Sequence, residues 1–272
     1  MVKYCCLWLK EERMIPKVIH YCWFGRGKMP ELAFKCIESW KKYCPDYEIK
    51  EWNEDNFDLD LYPYAREAYD NRKFAFVTDV VRLYALYHEG GVYMDTDVEV
   101  LKPLDRFLVH HAFSGFESET EVPTGIMASE KGGKWAAENL AYYEGRHFVK
   151  EDGTFDLSSN VKTITKLLIP HGIKLDNSFQ DIPNLITMYP RDFFCPKDHQ
   201  TREIHLTNNT YCIHHFNGSW WPKGKRFEVW LSEKGINKKC AYYISKSIFF
   251  PIHVIQHLLK GTFISQAKKH LK

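Results

Sequence analysis

The chain has 272 residues, 44% of them hydrophobic and 15% aromatic, with a formal charge of +2. That is enough apolar material for one large domain, or a domain plus an appendage. With charge this close to balance, whole-chain electrostatics do not argue for nucleic acid as a partner, and any basic preference must come from a local patch.

The opening run MVKYCCLWLKEERM meets charge too early to read as a signal peptide. No stretch reaches the roughly 20 consecutive apolar residues that span a bilayer. The expectation is a soluble or peripheral protein, with residues 1–13 as an appendage ahead of the first strand. The eight cysteines, Cys5, Cys6, Cys22, Cys36, Cys44, Cys195, Cys212 and Cys240, form no CxxC pair and no compact disulfide framework. They read as small apolar residues of a reducing compartment.

In chain order, IPKVIHYCWFG predicts a buried strand over 17–23, closed by glycine. From Glu31 to Tyr43, Leu32, Cys36, Ile37 and Trp40 recur at helical spacing until Pro45 stops the run. YEIKEWN predicts a second strand. Strand, helix and strand in this order suggest a βαβ unit and a parallel α/β sheet, with its ligand at the carboxyl ends of the strands. AFVTDVVRLYALYHEGG predicts the strongest helix, stopped at Gly90 or Gly91, and the strand VYMD follows at once.

That strand runs into Asp95-Thr96-Asp97. Burying an unpaired carboxylate costs several kcal/mol, so two aspartates at the mouth of an apolar strand need a cation or a functional role. On an extended chain the two would point to the same side, leaving room on a hard divalent ion for water and phosphate oxygens. The alternative is a polar turn between two strands. Asp79 and Arg82 lie three apart on the preceding helix and share a face; on an otherwise apolar helix they are expected to be partly buried. Trp23, at the end of the first strand, could stack on a nucleobase, with core packing as the alternative.

The stretch from about 110 to 210 alternates short apolar runs with turns and shows no repeat. YCIHHFNGSWWPKGKR then gathers two histidines, an asparagine, two tryptophans and basic Lys223, Lys225 and Arg226. Imidazole can take a metal position that carboxylates leave open, and an indole N–H can donate to a phosphate oxygen. On an extended chain His214 and His215 point to opposite sides, and the sequence leaves open which faces the aspartates. After Glu233 there is no acidic residue, while Lys234, Lys238, Lys239, Lys246, Lys260, Lys268, Lys269 and Lys272 interleave with aromatic and aliphatic side chains. This is a basic amphipathic segment, to be set against a helix pair with solvated lysines.

Three stretches, IPKVIHYCWFG, FVTDVVRLYALYHEGGVYMDTDVEVLKPLD and TYCIHHFNGSW, together resemble the bacterial capsular and lipopolysaccharide glycosyltransferases with a DXD motif. These are relatives of the yeast mannosyltransferase that initiates outer chains and, more distantly, of the clostridial glucosylating toxins. The resemblance covers about residues 14–222. It implies a GT-A fold over 14–233, a Rossmann-like nucleotide-binding sheet with flanking helices, ahead of basic helices over 234–272.

It further implies a Mn²⁺- or Mg²⁺-dependent, retaining transfer of a hexose or N-acetylhexosamine from a nucleotide sugar, with UDP favoured. Position by position, Trp23 would stack on the base, while Asp79 and Arg82 would bind donor sugar hydroxyls. Tyr93 would lie near the phosphates, and Asp95 would touch the ribose, the sugar or metal-bound water. Asp97 would ligate the metal with His215 beside it, and Trp220 would meet the bridging phosphate oxygen, with Ser219 and His214 as further candidates. The implied partner is a saccharide or lipid-linked saccharide acceptor in surface polysaccharide synthesis. Apart from the resemblance, the cysteine usage points to the cytoplasm, and the basic segment over 240–272, where it serves as an amphipathic anchor rather than a packed helix pair, to the anionic inner face of the plasma membrane. Two segments, VPTGIMASEKGG and LSSNVKTITKLL, depart from the family pattern, so no nucleophile facing the anomeric carbon is named.

Two other functions fit the same residues. A metal-dependent nucleotide-sugar or phosphodiester hydrolase would want further carboxylates for a second metal. A catalytically silent sugar-nucleotide binding protein would tolerate loss of Asp97.

Overall fold

A computed structural model describes residues 14–122, 125–199, 201–218, 221 and 223–259, with side chains through 249. The expected appendage at 1–13 and the lysines beyond 259 lie outside these residues, as do Ser219 and Trp220.

Residues 14–216 form one compact unit. It begins with β1 (Val18–Cys22), α1 (Glu31–Tyr43) and β2 (Glu48–Trp52), then α2 (Pro63–Asp70), α3 (Phe74–His88), β3 (Gly91–Met94) and β4 (Val98–Val100). There follow β5 (Ala112–Gly115), β6 (Ile126–Ser129), α4 (Lys134–Ala141), α5 (Asn160–Leu168), β7 (Gln180–Ile182), β8 (Ile186–Tyr189), the single turn α6 (Arg191–Phe194) and β9 (Cys212–His214). The central sheet has the order β2-β1-β3-β6-β5-β8-β7, and β4 pairs with β9 in a separate two-stranded ribbon.

The βαβ expectation holds: β1 lies parallel to both β2 and β3. The parallel sheet expected from it stops there, because β6 runs antiparallel to β3 and to β5. With β5–β8 parallel and β7–β8 antiparallel, the α/β sheet is mixed.

Side-chain alternation along these strands divides the core in two. Val92 and Met94 of β3 join Ile19, Trp40 and Ile126 on the face covered by α1 and the β4–β9 ribbon. Tyr93 turns to the other face, among residues of α2, α3 and α4. α1 buries Ala33, Cys36 and Trp40, one stripe of an amphipathic helix, and the Trp40 indole donates to the Val98 carbonyl at 2.7 Å. This bond ties α1 to the strand that leaves the aspartate pair. α3 is apolar on most sides and correspondingly buried from Val77 to Leu86.

The α3–β3 junction depends on Gly91, whose φ is +116°. A Cβ there would lie 2.6 Å from the Val18 carbonyl oxygen, so only glycine lets β3 register beside β1. The buried His20 accepts from the Trp52 indole at 3.1 Å through Nδ1 and therefore donates through Nε2 to the Gly90 carbonyl at 2.7 Å. It closes the junction from the β1 side.

The described residues from 217 to 259 form a second unit, in which α7 (Lys223–Glu233) packs along α8 (Lys238–Leu259). Phe227 meets Phe249, and the Ser245 hydroxyl donates to the Gly224 carbonyl at 2.6 Å. Among the described residues no helix is long and apolar enough to cross a membrane. The cysteines read as apolar fill are buried at Cys22, Cys36, Cys44, Cys195 and Cys212, and free; Cys240 is free and exposed.

Candidate active site

β3 ends at Met94, and the next four residues form a turn closed by Val98 N–H donating to the Asp95 carbonyl at 3.0 Å. The aspartates are therefore brought together by a turn, not by the alternation of an extended strand. Asp95 N–H donates to the Gly125 carbonyl at 2.8 Å, which fixes the turn on the end of β6.

Arg82 organises what lies beneath. Its guanidinium is 4% exposed and stacks 4.6 Å from the Tyr93 ring centroid. Nη2 lies 3.2 Å from Asp95 Oδ1 and 3.3 Å from Asp79 Oδ1, while Nε donates to the Thr78 carbonyl at 3.0 Å. The Tyr93 hydroxyl donates to Asp95 Oδ1 at 2.8 Å. Asp79 has a further partner, Asn160 at the start of α5, whose Nδ2 donates to Oδ1 at 3.0 Å.

The charges shift one another. Burial pushes the Asp79 carboxyl up to about 6, against the pull of Arg82 and Asn160. Burial also raises Asp95, with Arg82 opposing and Asp97 adding to the rise. Burial alone would lower the Arg82 guanidinium, but Asp95, Tyr93 and Asp79 outweigh it and hold it above its ordinary value. With Asp97 included, three carboxylates against one guanidinium leave an excess of negative charge at the mouth of the site.

One metal expectation is corrected. His214, not His215, joins the aspartates: Asp95, Asp97 and His214 each offer one ligand atom, all within 4.8 Å of one another. Pairing of β9 with β4 sets this phase, with Val98 opposite His214. His215 lies on the other side, where its Nε2 is 2.8 Å from Glu99 Oε2, and Glu99 in turn pairs with Lys35 at 3.2 Å. His215 is thus a structural partner of Glu99, while its own N–H donates to the Asp97 carbonyl at 2.9 Å.

The three side chains suit a hard or borderline divalent ion. His214 Nε2 lies 3.4 Å from Asp97 Oδ1, close to the roughly 3 Å that two donors keep when each sits about 2.1 Å from a shared ion. His214 Nδ1 is buried without a hydrogen-bond partner among the described residues. Burial would lower the His214 ring, but Asp97 more than reverses this and raises it well above the ordinary histidine value. Positive charge is therefore favoured here, carried by a proton on the ring or, in its place, by a metal ion. Gly125 makes room for the ring: a Cβ there would stand 2.8 Å from His214 Nδ1.

Trp23 follows the carboxyl end of β1 on the same sheet edge, half-buried. Its indole donates to the Gly27 carbonyl at 2.6 Å, which fixes the ring plane. The loop it enters is held by Glu54, which accepts from Gly25 N–H at 2.5 Å, and by the Arg26–Asp55 pair. Ser219 and Trp220 lie outside the described residues.

Two residues escaped the sequence reading. Asn160 sits where Ser-Ser-Asn before an apolar run looks like an ordinary helix start. Glu117, just past β5, looks like part of a solvated acidic loop; instead burial raises its carboxyl, with His214, His199 and Asp95 in electrostatic reach.

Residues 30–114 match the family model described as "Glycosyltransferase sugar-binding region containing DXD motif". Among curated proteins, inositol phosphoceramide mannosyltransferase 3 of Schizosaccharomyces pombe is 30% identical over 130 residues, which is 46% of this chain and 36% of that protein. The mannosyl phosphorylinositol ceramide synthase SUR1 of Saccharomyces cerevisiae is 28% identical over 123 residues, 44% of this chain and 32% of that protein. The chain thus spans about a third of the length of these relatives. Similar solved structures include the PaToxG glycosyltransferase, with a TM-score of 0.45 and 19% identity over 58% of this chain and 70% of that one. The galactosyltransferase LgtC has a TM-score of 0.39 and 12% identity over 85% and 95%. The turn that carries Asp95 and Asp97, with Arg82 and Asp79 beneath it, lies inside the stretch that matches the sugar-binding DXD region of glycosyltransferases.

Proposed function

We propose that this chain is a metal-dependent, retaining glycosyltransferase that moves a hexose or N-acetylhexosamine from a nucleotide sugar to a saccharide acceptor. The observation that carries the reading is the convergence of Asp95, Asp97 and His214 above the buried Arg82 pair, within the matched DXD region.

Asp97 and His214, with Asp95 directly or through water, would hold Mn²⁺ or Mg²⁺, whose Lewis acidity offsets the negative charge that grows on the departing diphosphate. The residues of the chain do the placing. Trp23 offers a ring fixed in orientation for the base, worth about 1–3 kcal/mol of stacking. Asp79 and Arg82 bind hydroxyls of the transferred sugar, and Tyr93 holds Asp95 in register with them. Ser219 and Trp220 are proposed at the diphosphate. The acceptor oxygen bonds to the anomeric carbon from the face the phosphate leaves, the carbon–phosphate oxygen bond breaks, and the acceptor proton passes to that phosphate oxygen.

The donor is proposed to be UDP-linked. The relatives, named for mannosyl transfer to inositol phosphoceramide, make a GDP-linked mannose the necessary comparison. The test is a panel of UDP- and GDP-sugars incubated with and without Mn²⁺ and a saccharide acceptor, with product anomers assigned by NMR. One donor consumed only with metal and transferred with retention is expected. Inverted product would sink the same-face geometry, cleavage indifferent to acceptor would favour a hydrolase, and no binding would sink the transferase reading.

A lipid-linked saccharide acceptor of surface polysaccharide synthesis, at the cytoplasmic leaflet, suits the second unit. α8 exposes Tyr242, Tyr243, Ile244 and Ile248 alongside Lys239 and Lys246, and each lysine near an anionic surface contributes about 1 kcal/mol. The full chain is expected to co-sediment with anionic vesicles, less so as salt rises, and to lose about tenfold or more in binding when residues 240–272 are removed. Binding unchanged by the truncation would refute the anchor.

A further inference from the structure

The two oxygens of Asp79 are unequally used. Oδ1 accepts from Asn160 at 3.0 Å and faces Arg82 at 3.3 Å. Oδ2 has no hydrogen-bond donor among the described residues and is not one of the buried, unpartnered oxygens, in a side chain that keeps 13% of its exposure. A carboxylate held by one oxygen with the other free is arranged to accept from something that is not protein.

Asn160 does the holding. It is the first residue of α5 and 6% exposed, and its Oδ1 is buried without a donor among the described residues. Turning the amide to satisfy that oxygen would take Nδ2 away from Asp79. An unsatisfied buried acceptor is costly and needs a reason. Packing does not supply one: Ile164 and Leu168 already fix α5 in the core, and Thr165 Oγ1 accepts from Val122 N–H at 3.0 Å. Around the same carboxylate lie the rings of Tyr64 and Tyr143, both hydroxyls pushed up by burial and by the Asp79 charge. The Tyr143 hydroxyl has no hydrogen-bond partner among the described residues.

We propose that Asn160 is a specificity-determining positioning residue. It locks Asp79 through Oδ1 so that Oδ2 accepts from one hydroxyl of the transferred sugar, and α5 thereby reads the orientation of that hydroxyl. The inference rests on the glycosyltransferase reading above. It adds a residue in a segment, LSSNVKTITKLL, where this chain departs from the pattern it otherwise resembles.

The test compares wild type, Asn160→Ala and Asn160→Ser as full chains with Mn²⁺. It measures binding of UDP and GDP and of their sugars in pairs differing at one hydroxyl: UDP-glucose with UDP-galactose, GDP-mannose with GDP-glucose. Asn160→Ala is expected to bind the bare nucleotide within about twofold of wild type. It should bind the preferred nucleotide sugar about tenfold more weakly, the scale of one lost oriented hydrogen bond to charge, and lose the preference between the epimers. Asn160→Ser, still able to donate, should recover part of both. A variant that keeps the sugar increment and the preference overturns the inference alone. Equal weakening of nucleotide and nucleotide sugar overturns it in favour of a structural role, and if Asn160→Ala does not fold, the serine variant decides between the same outcomes. A wild type that binds no nucleotide sugar brings down the transferase reading and this inference with it.

Discussion

Asp97→Ala is expected to lower transfer by about a thousandfold or more and to abolish its response to Mn²⁺, the scale seen when a group stabilising leaving-group charge is removed. Chelation of the wild type should produce the same loss, and chelation of the variant no further one. His214→Ala should follow Asp97→Ala in weakening the metal dependence. His215→Ala should not, because that ring is committed to Glu99 at 2.8 Å. Metal titration of activity, with direct Mn²⁺ binding by electron paramagnetic resonance, separates the four proteins. Equal metal affinity in Asp97→Ala and wild type, or a loss confined to His215→Ala, would overturn the assignment of the ligand set.

Arg82→Met should lose both activity and stability. The guanidinium is 4% exposed and faces two carboxylates at 3.2 and 3.3 Å. Its removal strands Asp79 and Asp95 in the interior. Breaking a buried pair by deleting one partner costs about 3–5 kcal/mol, which for a unit of this size lowers the melting temperature by roughly 6–20 °C. The measurement belongs in chelator, so that metal binding does not mask the effect. Adding Asp79→Asn and Asp95→Asn to Arg82→Met should restore much of the stability and none of the activity. A variant that melts with the wild type would show that Arg82 carries no buried charge balance and serves the ligand alone.

The parts legible in the sequence were those governed by near neighbours. α1 spans Glu31–Tyr43 as its apolar spacing and Pro45 require, and α3 ends beside Gly90 and Gly91 where glycine alone fits. Asp79, Arg82, Tyr93 and Asp95 converge because one helix and the strand after it place them. The misread parts depend on distant pairings. The turn at Asp95 is imposed by the Gly125 carbonyl and by departure of β4 to β9, neither visible in MDTDVEV. The choice of His214 over His215 is a matter of strand register, which one residue of slip reverses. β5 to β8 are strands of three or four residues, too short for periodicity to show. Asn160 and Glu117 acquire their roles from burial that their polar local sequence conceals.

The β4–β9 ribbon also sets an order of events. Glu99 and His215, neighbours across it, are 116 residues apart in the chain, whereas β1, α1, β2, α3 and β3 assemble from contiguous sequence. Closing so long a loop costs entropy that only an already collapsed core repays. On an emerging polypeptide Asp79, Arg82 and Tyr93 can therefore meet before the ribbon closes, whereas the turn that sets the two aspartates of the DXD motif, and the imidazole that on the proposed function would complete their metal set, wait for the last strand of the unit. On the proposed function, a chain cleaved before Cys212 would lack one of the three metal ligands however well its first strands have folded.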